Sequence, residues 1–351
     1  MTAPTVHPHL CLQFVHEKSG VRFDERYFSD DEHRREQDAL IHKALFGWFG
    51  THWPSLAPGW AGEPAYTVGV GAAYVIIAAL FGAKIRYYDD FHPDCSSEPL
   101  AHIREPREIK VPDVEKTWPL SEYLARYDAL AARHGRERVV LPGFEFQGTL
   151  DPRSRGLLMH SPLTTAYKLR GSQLFVDMKE RPDVARRVFS AVRETYYRTC
   201  DLLIGRLGMK TDVIFFGACA SSWVSPELWR EWELPAISEI VTRYGARTIL
   251  HSCGKSTHLL EAFAGLPRLQ ELHLGEGTDL AAARRIHPST GFFIVPDSVA
   301  WARNPAAQTV RAIHAMTEAA GSGPLAFQFV LEAGIPNATV EAILRVFSLN
   351  S

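Results

Sequence analysis

The residues of this chain best suited to chemistry are His251-Ser252-Cys253. At the end of an extended strand, side chains at i and i+2 leave the same face, so an imidazole and a thiolate stand side by side there. These are preferred ligands of zinc, and a catalytic zinc keeps one position open or exchangeable. Taken alone, an H-x-C triplet is short, and a lone buried cysteine is more often a small apolar filler than a ligand. Its weight depends on what other donors the fold brings to the same place.

Those donors follow from the alternation of the second half of the chain. Apolar, strand-like runs at 212–217, 247–251, 269–274, 291–295 and 325–331 are separated by helical patterns at 226–244, 256–264, 279–286 and 305–320, with a last helix at 338–347. Near-continuous apolar strands between helices indicate a parallel sheet covered on both faces. Ser225-Pro226-Glu227 and Asn304-Pro305 carry helix-start chemistry, and Asp279 is placed as a cap. This predicts an α/β fold of the (β/α)8 barrel class, in which functional groups sit where the strands end. Cys219 follows the first of these runs, His251 and Cys253 end the second, and Glu276, Asp297 and Glu332 follow the next three. Two thiolates, one imidazole and one carboxylate, from Cys219, His251, Cys253 and Glu276, form a donor set suited to tetrahedral zinc.

The first half is less regular. Helices are expected at 31–49, 73–81, 120–134 and 181–207, and strands at 84–88, 138–141 and 156–160. The strand at 84–88 would deliver Asp89, Asp90 and His92 to the barrel mouth. Residues 1–64 read as an N-terminal helical cap and 90–137 as an excursion from one barrel domain spanning 1–351. Trp48, Trp53 and Trp60 read as packing of that cap, with an interface or a lid over the mouth as the alternatives; a homodimer is a candidate assembly.

Composition narrows the function class. A formal net charge of -2 over 351 residues gives no electrostatic reason to expect nucleic acid or an anionic membrane as partner. The longest apolar stretch, 68–83, is interrupted by Gly69, Gly71 and Gly82 and reads as core. Residues 1–20 lack the apolar run of a secretory signal, so a cytoplasmic enzyme is expected. The five cysteines are widely spaced and odd in number, unlike a disulfide framework.

The stretches LRGSQLFVDMKERPD (169–183), CASSWVSPELWREWELP (219–235), LHSCGKSTHLLEAF (250–263) and LHLGEGTDLAAAR (272–284), with FDERYFSDDEHRREQD (23–38) and GAKIRYYDD (82–90), resemble the uroporphyrinogen decarboxylase superfamily. That superfamily includes the decarboxylase and zinc methyltransferases acting on methylated corrinoid proteins. The resemblance implies a (β/α)8 barrel with its site at the C-terminal mouth. The Arg-Gln-Ala-Gly-Arg segment by which the decarboxylases grip porphyrin carboxylates is absent, which argues against that reaction. The methyltransferase branch carries H-x-C, matched by His251 and Cys253, and a downstream acid, matched by Glu276. Its later cysteine is replaced by Ala333, leaving Cys219 or Glu332 to supply the remaining ligand.

The expectation is therefore a zinc-dependent methyltransferase that activates a thiol or similar acceptor. The methyl group would come from a corrinoid protein or another methylated donor, and the other partner would be a small-molecule substrate. Asp89 and Glu332 would orient or deprotonate substrate, and Arg170, with Gln173, would hold an anionic one. The alternative is a metal-free decarboxylase or lyase of the same fold, with Asp89 facing a cationic intermediate. A third possibility is a metal- or corrinoid-binding protein without turnover.

Overall fold

The computed structural model describes residues 4–348 except Ser96 and Pro152. Its strands are β1 (Thr5–Leu10), β2 (Tyr66–Thr67), β3 (Ile85–Arg86), β4 (Asp94–Cys95), β5 (Val139–Val140), β6 (Glu145–Gln147), β7 (Arg155–His160), β8 (Val213–Gly217), β9 (Arg247–Ser252), β10 (Leu269–Gly275), β11 (Gly291–Val295) and β12 (Leu325–Leu331). One eight-stranded sheet runs β1-β12-β11-β10-β9-β8-β7-β6. All neighbours in it are parallel except β6 and β7.

The alternation of side chains shows how the sheet is used. One set, including Ile214, Phe216, Leu250, Leu272, Phe292 and Phe327, is fully buried, as the outer face of a helix-covered sheet requires. The other set, including His7, Leu158, Phe215, His251, His273, Phe293 and Gln328, lines a single cavity. Residues from all eight strands of the sheet, Phe146 of β6 included, converge on one space because the sheet curls, giving the (β/α)8 barrel architecture. Parallel register then builds a row across it. His160 pairs with Gly217, Gly217 with His251, His251 with His273, and His273 with Phe293.

Two segments depart from the sequence expectation. Thr5–Leu10 lies inside the stretch read as a helical cap, yet it is a six-residue strand along β12. Its sequence, TVHPHL, has no apolar run to announce it. Conversely, the strand expected at 84–88 is a two-residue hairpin pairing with β4, outside the barrel sheet. Its burial pattern, half-buried then exposed, is not that of a strand covered on both faces.

The long helix of the N-terminal region, Asp31–His52, begins where Asp30 accepts a bond from the His33 N–H. Trp48 packs edge-on to Phe14, Trp53 meets Phe329 of β12, and Trp60 stacks on Phe49. The helix expected at 226–244 is interrupted by a π-helical stretch, Trp229–Glu233. Pro235 has no N–H to continue the α pattern there. Among the described residues no helix is long and apolar enough to cross a membrane.

Candidate metal centre

Cys219, His251 and Cys253 meet where β8 and β9 end. One ligand atom from each lies within 4.8 Å of the other two. Cys219 opens the 3-10 turn Cys219–Trp223 after β8, while His251 is the penultimate residue of β9 and Cys253 is the first beyond it. The Cys253 turn is held tightly against its neighbours. A Cβ on Gly275, at the end of β10, would lie 2.1 Å from the Cys253 carbonyl oxygen, so only glycine lets the two backbones approach.

The two sulfurs are 3.3 Å apart. The Cys219 thiol and the His251 imidazole lower the Cys253 pKa, whereas the Cys219 pKa rises because it keeps the shared proton beside the Cys253 thiolate. Two ligands at about 2.3 Å from a tetrahedral ion stand about 3.8 Å apart. A small opening of this pair therefore admits zinc, with a fourth position left over. The residues present fit the ion.

Behind the centre runs a buried polar chain. His251 Nδ1 is 3.4 Å from His273 Nδ1, and His273 Nε2 is 2.7 Å from Glu271 Oε1. Thr149 Oγ1 also donates to Glu271 Oε1, and the Leu150 N–H meets Glu271 Oε2 at 3.3 Å. Glu271 and His273 are buried. A carboxylate accepts only, so His273 carries its proton on Nε2 and presents a bare Nδ1. His251 then donates from Nδ1, which leaves its Nε2 lone pair free for a metal. A carboxylate–histidine chain fixing a ligand imidazole in this way is a common support of metal sites.

Of the other residues singled out from sequence, Glu332 lines the cavity, with Oε1 accepting from Ser298 Oγ at 2.6 Å. Four lie elsewhere. Glu276 is exposed, and its Oε2 accepts from the Asp297 N–H at 2.5 Å; it fastens one loop to the next and is outside the three-residue cluster. Asp89 is paired with Arg22 at 2.7 Å, both more than half exposed. The short β3 hairpin does not carry it into the barrel mouth. Arg170 is buried, with Nε 2.9 Å from Asp177 Oδ2 and Nη1 on the Leu100 and Ala101 carbonyls. Gln173 binds the same carboxylate at 3.0 Å. Neither lines the cavity at His251 and Cys253.

Sequence reasoning passed over His7, His9, Thr149, His160, Glu271 and His273. The signal for two of them was present, since LQELHL places Glu271 and His273 on one face of a strand whose other face carries Leu272 and Leu274. His160, in the same row beyond Gly217, is half-buried, its Nδ1 is buried without a hydrogen-bond partner, and desolvation lowers its pKa to about 4. It stays a neutral imidazole.

No curated protein sequence matches the chain. Among solved structures, a methyltransferase from Methanosarcina mazei is similar over 99% of this chain and 94% of its own, with 13% identity and a TM-score of 0.63. A GH30 endoxylanase from Clostridium papyrosolvens C71 aligns over 79% of this chain and 69% of its own, at 10% identity and a TM-score of 0.33. The first likeness supports the fold. Residues 67–294 match the family described as Uroporphyrinogen decarboxylase (URO-D), and the chain belongs to that family.

Proposed function

We propose that the protein is a metal-dependent methyltransferase whose ion, zinc by the donor set, is held by Cys219, His251 and Cys253. The observation that carries this reading is the meeting of these three donors within 4.8 Å at the ends of neighbouring strands. Bound zinc would lower the pKa of an acceptor thiol so that it reacts as a thiolate near neutral pH. The chain's own groups do the rest. Cys253 and Cys219 supply two negative charges, with their shared proton leaving when a cation enters. Glu271 and His273 hold His251 in the tautomer that offers Nε2. Phe215 and Phe293 flank the imidazoles and keep that wall of the cavity dry. Glu332 stands at the cavity wall as a proton acceptor.

The metal-free lyase loses its main support, because Asp89 is engaged by Arg22 at the surface. Elemental analysis of wild type, Cys219→Ser and Cys253→Ser tests the proposal. About one zinc per chain, lost in both variants, supports it. Absence of metal in wild type after zinc supplementation overturns it.

A further inference from the structure

The cavity that ends at His251 and Cys253 encloses about 660 Å³, enough for a small organic molecule. Its walls have a distinct character. Phe91, Phe146, Phe215 and Phe293 line it. The Phe146 and Phe215 centroids are 4.8 Å apart, and Phe293 lies 4.4 Å from His273. An aromatic band thus runs across β6, β8, β10 and β11. Phe91, on the loop between β3 and β4, is 48% exposed at the same cavity. A large apolar ring left half in water beside a cavity is suited to covering a ligand.

The charge balance points one way. Among the described lining residues there is no lysine or arginine. The carboxylate at the wall is Glu332, and Glu271 is buried behind His273, close enough to act on His7. His7, His9 and His92 also line the cavity, and burial lowers the pKa of each. They present neutral imidazoles and do not replace a fixed cation. A zinc ion on two thiolates would add no net positive charge either. A carboxylate, sulfonate or phosphate entering this space would lose water without gaining a counter-ion. A permanent cation would meet aromatic rings and a carboxylate, groups that attract it.

We propose that this cavity binds a co-substrate with a permanently cationic, onium head group and discriminates against anionic ones. The inference deepens the methyl-transfer reading and rests on it for the placement of the co-substrate's reactive end at the Cys–His–Cys cluster. The head-group preference is a property of the walls alone.

Calorimetry with two probes of similar length, choline and 2-hydroxyethanesulfonate, tests the walls on the purified chain at fixed ionic strength. Choline is expected to bind about tenfold or more tightly than the sulfonate, and Glu332→Gln to weaken choline by about tenfold. Equal or tighter sulfonate binding, no choline binding, or an unchanged affinity in Glu332→Gln with the fold retained would each overturn the proposal. Thiocholine and 2-mercaptoethanesulfonate added to cobalt(II)-loaded protein separate it from the underlying reading, because a thiolate–cobalt absorption band reports contact with the metal. Choline binding by a chain that takes up no cobalt would uphold the head-group assignment and sink the metal centre. Cobalt uptake with a preference for the sulfonate would do the reverse.

Discussion

The sulfurs of Cys219 and Cys253 sit 3.3 Å apart although 34 residues separate them in the chain. The pair exists because β8 and β9 are adjacent parallel strands that end at the same level, Gly217 opposite His251. Each sulfur belongs to a different turn, so neither substitution should disturb the other turn. Cys219→Ser and Cys253→Ser are each expected to lower zinc affinity about a hundredfold or more, because a hydroxyl replaces a thiolate ligand. Glu276→Gln should leave zinc affinity unchanged, since that carboxylate binds the Asp297 N–H instead. Competition against a chromogenic chelator measures all three. A large loss in Glu276→Gln would return it to the ligand set.

His273→Phe tests the buried chain behind the metal. The substitution keeps a ring beside Phe293 but removes both the acceptor for His251 Nδ1–H and the donor to Glu271. Loss of such a supporting partner generally costs about 10–100-fold in metal affinity. The same drop is expected here, without change in stoichiometry at saturating zinc. The tautomer gives a second readout. Nitrogen chemical shifts of labelled histidine should show His251 protonated on Nδ1 in wild type and mixed in the variant. Unchanged affinity and an unchanged tautomer would reduce His273 to packing.

What the sequence disclosed, and what it hid, follows from these same residues. Cys219, His251 and Cys253 were legible because they follow strands whose apolar runs are continuous, and strand ends define the mouth of a barrel. Strand register is not written in the sequence in that way. Nothing local says that His251 lies opposite His273 and not opposite Glu271, so the supporting chain stayed hidden. β1 escaped notice because His7, Pro8 and His9 break the apolar pattern; all three line the cavity, where the two imidazoles serve the site. Asp89 misled for the opposite reason. IRYYDD resembles a barrel strand with acids at its end, but among the described residues β3 pairs only with β4. Glu276 follows a true strand and still binds a neighbouring loop, as end-of-strand acids often do.

Arg170 should prove structural. Its guanidinium and the Asp177 carboxylate are both fully buried, and Asp177 is further bound by Gln173 and Arg181. Removing one partner of a buried pair costs about 3–5 kcal/mol. Arg170→Met should fall near the lower end, about 3 kcal/mol, because Asp177 keeps two other partners. Urea unfolding would measure this loss. Zinc bound per folded molecule should not change. A variant that stays fully stable but loses affinity for a small-molecule substrate would restore Arg170 to the binding site.

Glu233 gives the chain a pH dependence that can be isolated. It lies in the π-helical stretch before Pro235, fully buried, with Oε2 accepting from the Leu163 N–H at 2.7 Å and Oε1 without a partner. Burial raises its pKa to about 7 in the folded chain, above the ordinary carboxylate value. Between those two values the folded state binds a proton that the unfolded state releases. Stability from this group is therefore greatest in acid and falls as pH rises toward 7, after which the buried charge persists. Glu233→Gln cannot titrate, so the difference in melting temperature between variant and wild type should shift in the variant's favour from pH 5 to pH 8 and level off above. Thermal melts of both proteins across that range give the difference directly. A difference that stays constant with pH would mean that Glu233 titrates alike in both states and that its burial is relieved by solvent.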